Sequence, residues 1–292
     1  VTSAPLSLPA DYAPRSNLLN YTSVPEMYEG FLALKDDVLR LSRDDGPFGQ
    51  VKLMLHLDHA HPYKDVEVLK WGRGLISGVM YDCSHLSLEE NMARTSDFVK
   101  HSRGQFLVEG AVDEIYEYGS GALKNKPTDP QEAKRYIERT GVAFIVCNLG
   151  TEHRATVAEV VYHADRAREI RDLVGPRLVL HGTSSLKEED LYRLAEDGIA
   201  KVNIWTMVEK SGGQALARDS LSHLPEILDQ EEMSHLRDKR VITEDFYVSS
   251  QGRKPSLAYL TVAHRRNEVW MPTVVKVMKT YFRALGYERL AG

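Results

Sequence analysis

The sequence predicts an α/β fold of the (β/α)8-barrel type, and three observations predict it. Between about residues 50 and 210, short apolar runs alternate with longer amphipathic segments. The runs have the length of buried strands, and the segments between them have the period of helices. Each run is followed directly by ionisable or polar residues. In an α/β barrel, the C-terminal strand ends and the loops after them build the active-site face.

Taken in order, the first fourteen residues are Pro-rich, residues 17–21 form a candidate strand and residues 25–43 a candidate helix. Apolar runs follow at 51–57, 78–81, 105–108, 142–147, 177–180 and 199–204. Helical patterns at 88–101, 129–140, 155–174 and 186–196 lie between them, the last two ending before Gly175 and Gly198, where helix stop signals belong. Repetition of strand and helix indicates βαβ units and a parallel sheet. The count of candidate strands falls one short of a complete barrel, so one N-terminal strand is modified or missing. Residues 220–253 are charged and helical in pattern, and a final amphipathic helix covers 267–285. We therefore divide the chain into a catalytic barrel, 1–210, and a helical C-terminal elaboration, 211–292, packed on the same domain.

Composition excludes several classes. With 37 Lys+Arg against 42 Asp+Glu, the net charge of −5 argues against a surface that tracks nucleic-acid phosphates. No run of about 18 apolar residues could cross a bilayer. Residues 1–8 lack the basic patch and apolar stretch of a secretory signal, so a cytoplasmic location is expected. Cys83 and Cys147 each lie inside an apolar run and read as buried free thiols.

The chemistry lies at the run ends. Asp58 and His59 close the first run, Asp82 the second and Glu109 the third; Gly150-Thr151-Glu152-His153, His181-Gly182-Thr183-Ser184-Ser185 and Asn203 follow the others. Three imidazoles, His59, His153 and His181, at three such ends make a plausible zinc site, since zinc takes N and S ligands in a tetrahedral array and a catalytic site leaves one position open. Singly, each signal is weak: a lone strand-end His is more often a packing residue, as His56, His85, His101 and His163 are read here. Asp82 could equally cap the segment that opens near Ser84.

The strings Leu55-His56-Leu57-Asp58-His59-Ala60 and Tyr81-Asp82-Cys83-Ser84-His85 resemble the class II, zinc-dependent fructose- and tagatose-bisphosphate aldolases. The resemblance continues in order through Val108-Glu109, Thr128-Asp129-Pro130, Gly150 to His153, His181-Gly182 and Lys201-Val202-Asn203-Ile204. It implies a TIM barrel in which His59, His153 and His181 hold one catalytic Zn2+ and Asp58 is the general acid/base at the substrate hydroxyl. Zn2+ would act as Lewis acid for the enediolate that carbon–carbon bond cleavage beside a ketone passes through. Glu114 and Glu117, in the loop after Glu109, are the candidates for removing the donor's α-proton; the alternative is that both are solvated loop carboxylates. Gly150, Arg154, Gly182, Thr183, Ser184, Asn203, Trp205 and Thr206 fall in the segments that cradle the ketose phosphate, together with a monovalent cation such as Na+ or K+. Asp82 and Glu109 are secondary candidates.

Several positions differ from the family pattern. Ala111 replaces a carboxylate that is an alternative zinc ligand, and Arg154 and Thr183-Ser184-Ser185 replace glycine-rich positions. Trp205 replaces an Asp that grips sugar hydroxyls, and offers a flat apolar or stacking surface instead. The reading is therefore a zinc-dependent aldolase with a dihydroxyacetone-phosphate-like donor and an acceptor other than glyceraldehyde 3-phosphate. Its small-molecule partners are a sugar phosphate and an aldehyde, and the family suggests a homodimer or homotetramer. The alternatives are an ordinary fructose- or tagatose-bisphosphate aldolase, and an inactive metal-binding barrel serving as a partner subunit.

Overall fold

Asp129 shows how local chemistry sets an element: its carboxylate accepts from the backbone N–H of Gln131 and Glu132, and Pro130 supplies a preset φ at the first helical position. Gly141, at φ 72°, stops the same helix in the left-handed conformation open to glycine. The computed structural model describes residues 4–9, 27–51, 53–102, 104–114, 126–151 and 161–287. The chain falls into two compact units, Val1–Ile204 with Ala284–Gly292, and Trp205–Arg283.

The first unit is built on seven strands: β1 (Ala4–Pro9), β2 (Leu53–Ala60), β3 (Gly78–Tyr81), β4 (Leu107–Ala111), β5 (Phe144–Val146), β6 (Leu178–Leu180) and β7 (Ile199–Val202). All neighbours are parallel and run in sequence order, which is the winding of a (β/α) barrel. No eighth strand is present among the described residues. Helices α1 (Met27–Ser42), α2 (Val66–Trp71), α3 (Leu88–Ser102), α4 (Pro130–Thr140), α5 (Ala164–Val174) and the short α6 (Glu188–Leu191) lie between strands. Fully buried Leu57, Met80, Ile145, Leu178 and Leu180 form the strand side of the core. A buried polar knot joins sheet to helices: Asn91 Nδ2 donates to the Ala111 carbonyl at 2.8 Å, and Tyr136 Oη donates to Asn91 Oδ1 at 2.8 Å. Gly110 is needed there, since a Cβ would lie 2.7 Å from that hydroxyl.

Three expectations change. A strand at Ala4–Pro9 pairs with β2 in the stretch read as merely Pro-rich, because Pro5 and Pro9 mask strand character; in the sheet as described it is an edge strand, where proline is tolerated. The candidate strand at 17–21 lies outside the described residues. The helix expected over 186–196 is α-helical only at Glu188–Leu191 and continues as turns; of the helix expected over 155–174, residues 155–160 lie outside the described residues, 161–163 are not helical and α5 runs from Ala164. Cys83 and Cys147 are free and buried, and burial pushes the Cys83 thiol up to about 11.

The second unit is helical, with α7 (Trp205–Ser222), α8 (Leu224–Ile227), α9 (Gln230–Asp238), α10 (Glu244–Ser249), α11 (Leu257–Leu260), α12 (Val262–His264), a π-helical stretch (Arg265–Trp270) and α13 (Met271–Ala284). Gly212 of α7 lets the Trp270 ring approach to where a Cβ would stand 2.5 Å from it. Among the described residues, no helix is long and apolar enough to cross a membrane.

Candidate active site

Asp58 and His59 are sequence neighbours, and in a regular strand their side chains would point to opposite faces. The β2–β3 register shifts between Leu57 and Ala60, a bulge at these two residues, and His59 has φ 49°. That left-handed conformation is unusual for a non-glycine residue and costs on the order of 1–3 kcal/mol. It turns both side chains to one side, so that ligand atoms of Asp58, His59 and His181 all lie within 4.8 Å of one another. Bulges commonly re-aim side chains in this way beside active sites.

Each member is held from behind. His59 Nδ1 lies 2.7 Å from Asp82 Oδ2, and Asp82 Oδ1 in turn accepts from the N–H and Oγ of Ser84 at 3.0 and 2.6 Å. The carboxylate engages Nδ1, so ligation by His59 would run through Nε2, the carboxylate–histidine arrangement of metal sites. Burial disfavours the imidazolium, but Asp58 and Asp82 outweigh it and raise His59 to about 9. Burial likewise opposes ionisation of Asp58, yet His59, His181 and Lys201 hold its carboxyl well below the usual range. The pocket is thus arranged around positive charge, which a divalent cation would supply. Asp82→Ala is expected to weaken about 10- to 100-fold the hold of the site on any divalent cation that His59 would ligate, with the fold intact, as measured by chelator competition and circular dichroism.

His181, at the end of β6, is buried, and its carbonyl accepts from Thr151 Oγ1 at 2.8 Å. Its Nε2 lies 3.4 Å from Glu109 Oε1 and 3.1 Å from Asn203 Nδ2. Asn203 Nδ2 also donates to both oxygens of Asp58 at 3.3 Å.

A second cluster, His56, Asp58 and Glu109, has ligand-type atoms equally close together. It does not fit a metal ion, because the Lys201 ammonium is already there, 2.9 Å from Glu109 Oε2 and 3.4 Å from His56 Nε2. Burial and Lys201 lower His56 to about 4, leaving it neutral at pH 7. Burial raises Glu109, but Lys201 and His181 win and bring it down to about 2 from 4.5. A carboxylate with a depressed folded-state pKa contributes stability above its unfolded value, and that stability is lost as pH falls through the folded one. Between pH 4.5 and about 2, the wild type should therefore lose roughly 3 kcal/mol that Glu109→Gln does not lose, read by denaturant unfolding across that window.

The other sequence candidates are distributed unevenly. His153, Arg154 and Glu117 lie outside the described residues. Glu114 is exposed just after β4, and Asp113 and Thr128, hydrogen-bonded to each other, flank the segment that follows. Gly150 is buried, with φ 88° and its N–H on Asn148 Oδ1 at 2.9 Å. Gly182, at φ 66°, precedes a turn in which Thr183 Oγ1 donates to the Asn203 carbonyl at 2.7 Å and Ser184 is buried. Trp205 and Thr206 open α7 in the second unit, and Trp205 is 57% exposed. Sequence reasoning missed Lys201 as a functional residue and set His56 aside. The available signal was spacing: Lys201 precedes Asn203 by two, and His56 precedes Asp58 by two, so each pair shares a strand face.

A family model, "Fructose-bisphosphate aldolase class-II", matches residues 25–252. Among solved structures, the fructose-bisphosphate aldolase Fba of Campylobacter jejuni superposes with a TM-score of 0.67 at 17% identity, covering 97% of this chain and 83% of that one. The YdjI aldolase of Escherichia coli K12 superposes with a TM-score of 0.55 at 21% identity, covering 74% and 71%. At such identities the superpositions speak for the fold. The family match runs over well more than half of the residues, and with the Asp58, His59 and His181 face beneath it the chain belongs to the class-II fructose-bisphosphate aldolase family and is an aldolase, a carbon–carbon lyase.

Proposed function

We propose that this aldolase depends on zinc and makes or cleaves the carbon–carbon bond beside the ketone of a phosphorylated ketose. Its donor is dihydroxyacetone-phosphate-like and its acceptor is an aldehyde other than glyceraldehyde 3-phosphate. The observation that carries the reading is the convergence of Asp58, His59 and His181, with Asp82 behind His59. His59 and His181 would hold the ion, with His153 as the third ligand by resemblance. When bound, zinc supplies Lewis-acid stabilisation of the charge that develops on the ketone oxygen. Asp58, ionised and bonded to the Asn203 amide, takes or returns the proton of the acceptor-side hydroxyl through its Oδ atoms. Glu114 or Glu117 would remove the donor α-proton, and Gly150 with the turn at Gly182 to Ser184 would hold the phosphate with Na+ or K+.

Trp205 in place of the family's Asp favours a different acceptor, because an indole stacks and does not accept from sugar hydroxyls. The sheet of seven strands in barrel order supports closure as a TIM barrel. We propose further a cytoplasmic homodimer or homotetramer, which light scattering tests. The functional test incubates zinc-loaded protein with dihydroxyacetone phosphate and a panel of aldehydes, reading products by mass. Products with glyceraldehyde 3-phosphate at the highest kcat/KM would reverse the acceptor assignment in favour of ordinary bisphosphate cleavage. Absence of zinc from protein that is still active would remove the metal from the reading.

A further inference from the structure

Beneath the Asp58, His59 and His181 face, the only lysine of β7 makes three contacts at once. Lys201 Nζ donates to Glu109 Oε2 at 2.9 Å and to Asn203 Oδ1 at 3.0 Å, and lies 3.4 Å from His56 Nε2. An ammonium can only donate, so it fixes which end of the Asn203 amide it meets. The oxygen faces Lys201, and the NH2 must then face the other way, where it meets both Asp58 oxygens at 3.3 Å and His181 Nε2 at 3.1 Å. Without that ammonium, an amide differs little in shape between its two orientations, and the flipped one would put an oxygen against the Asp58 carboxylate.

We infer that Lys201 is a positioning residue that sets the orientation of the Asn203 amide, and through it the donor that Asp58 leans on. Glu109 is the counter-anchor, since its second oxygen faces His181 while the first grips Lys201. His56 is held neutral in this environment and adds a ring nitrogen without a competing charge. Lys201 donates to Glu109 and Asn203 and not to Asp58, so beyond the charge that Asp58 feels from it, its action on the pocket is to set the Asn203 geometry. The inference rests on the aldolase reading of this face, and two independent readouts separate the failure of one from the failure of the other.

The first readout needs no substrate. With asparagine side chains labelled in 15N, the Asn203 NH2 signals are identified by their loss in Asn203→Ala. They should exchange with solvent at least tenfold faster in Lys201→Met than in wild type. Because Lys201→Met strands a buried carboxylate and so works against folding, Glu109→Gln/Lys201→Met, which keeps the pair neutral, is measured beside it and should show the same acceleration. Unchanged exchange in the folded double variant overturns the inference. The second readout is the aldol reaction of dihydroxyacetone phosphate with the aldehyde the wild type uses fastest. Lys201→Met and Asn203→Ala should each lower kcat about tenfold with KM altered less than twofold, and their combination should be no worse than Asn203→Ala alone. Losses that multiply, or a kcat restored in Glu109→Gln/Lys201→Met, would show that Lys201 serves only to neutralise Glu109. A wild type that turns over no aldehyde, with amide exchange as expected, refutes the substrate reading and leaves the positioning role standing.

Discussion

Alanine in place of His181 is expected to reduce carbon–carbon bond cleavage by about 10^3-fold or more and to leave the protein without stoichiometric zinc. A Lewis acid is worth several kcal/mol to such a transition state, and each 1.36 kcal/mol is about tenfold in rate. The side chain is buried at the end of β6, where it meets Glu109 and Asn203 and its ring stands edge-on to His59 with centroids 5.1 Å apart. Its removal strands no charge, because Glu109 keeps Lys201 and Asn203 keeps Asp58. The cost in folding stability should therefore stay near 1–3 kcal/mol. Metal analysis, steady-state rates and a melting curve on the same preparation check this. A folded His181→Ala that keeps both zinc and full rate refutes the role.

Asp58→Asn is expected to act differently, lowering cleavage by about 10^2- to 10^4-fold, the span typical of a positioned acid or base, while zinc stays bound. Asparagine preserves the shape and removes the charge that His59, His181 and Lys201 surround. It also keeps one acceptor oxygen where the carboxylate has two, so the Asn203 NH2 retains one of its two contacts at this position. Zinc content separates the two substitutions. If Asp58→Asn lost the metal along with the rate, Asp58 would count as a ligand in place of a proton carrier.

Much of this site was legible because it sits where hydrophobic patterning is strongest. Buried strands write themselves as apolar runs, and the residues after them, Asp58, Glu109, His181 and Asn203, were located by where those runs stop. What was hidden had physical causes. The prolines of Ala4–Pro9 masked an edge strand, and residues 186–196 kept a helical period over a segment that forms mostly turns. Lys201 sat inside an apolar run as an apparent exception, and its meaning depended on partners 92 and 145 residues away in sequence. Period-two alternation would also have assigned Asp58 and His59 to opposite faces, and only the register shift reconciles them.

That shift also bears on how the site moves. Pairing with β3 holds at Leu57 on one side of it and resumes at Ala60 on the other, so the two residues between form a short arch pinned at both feet. An arch of this kind cannot let one side chain drift while the other stays. Asp58 and His59 should swing as a unit, and the distance between proton carrier and ligand should persist through thermal motion that alters the rest of the rim. The left-handed turn at His59 then works as a spacer whose length is set by backbone geometry, and a loop could not hold that spacing with two residues alone.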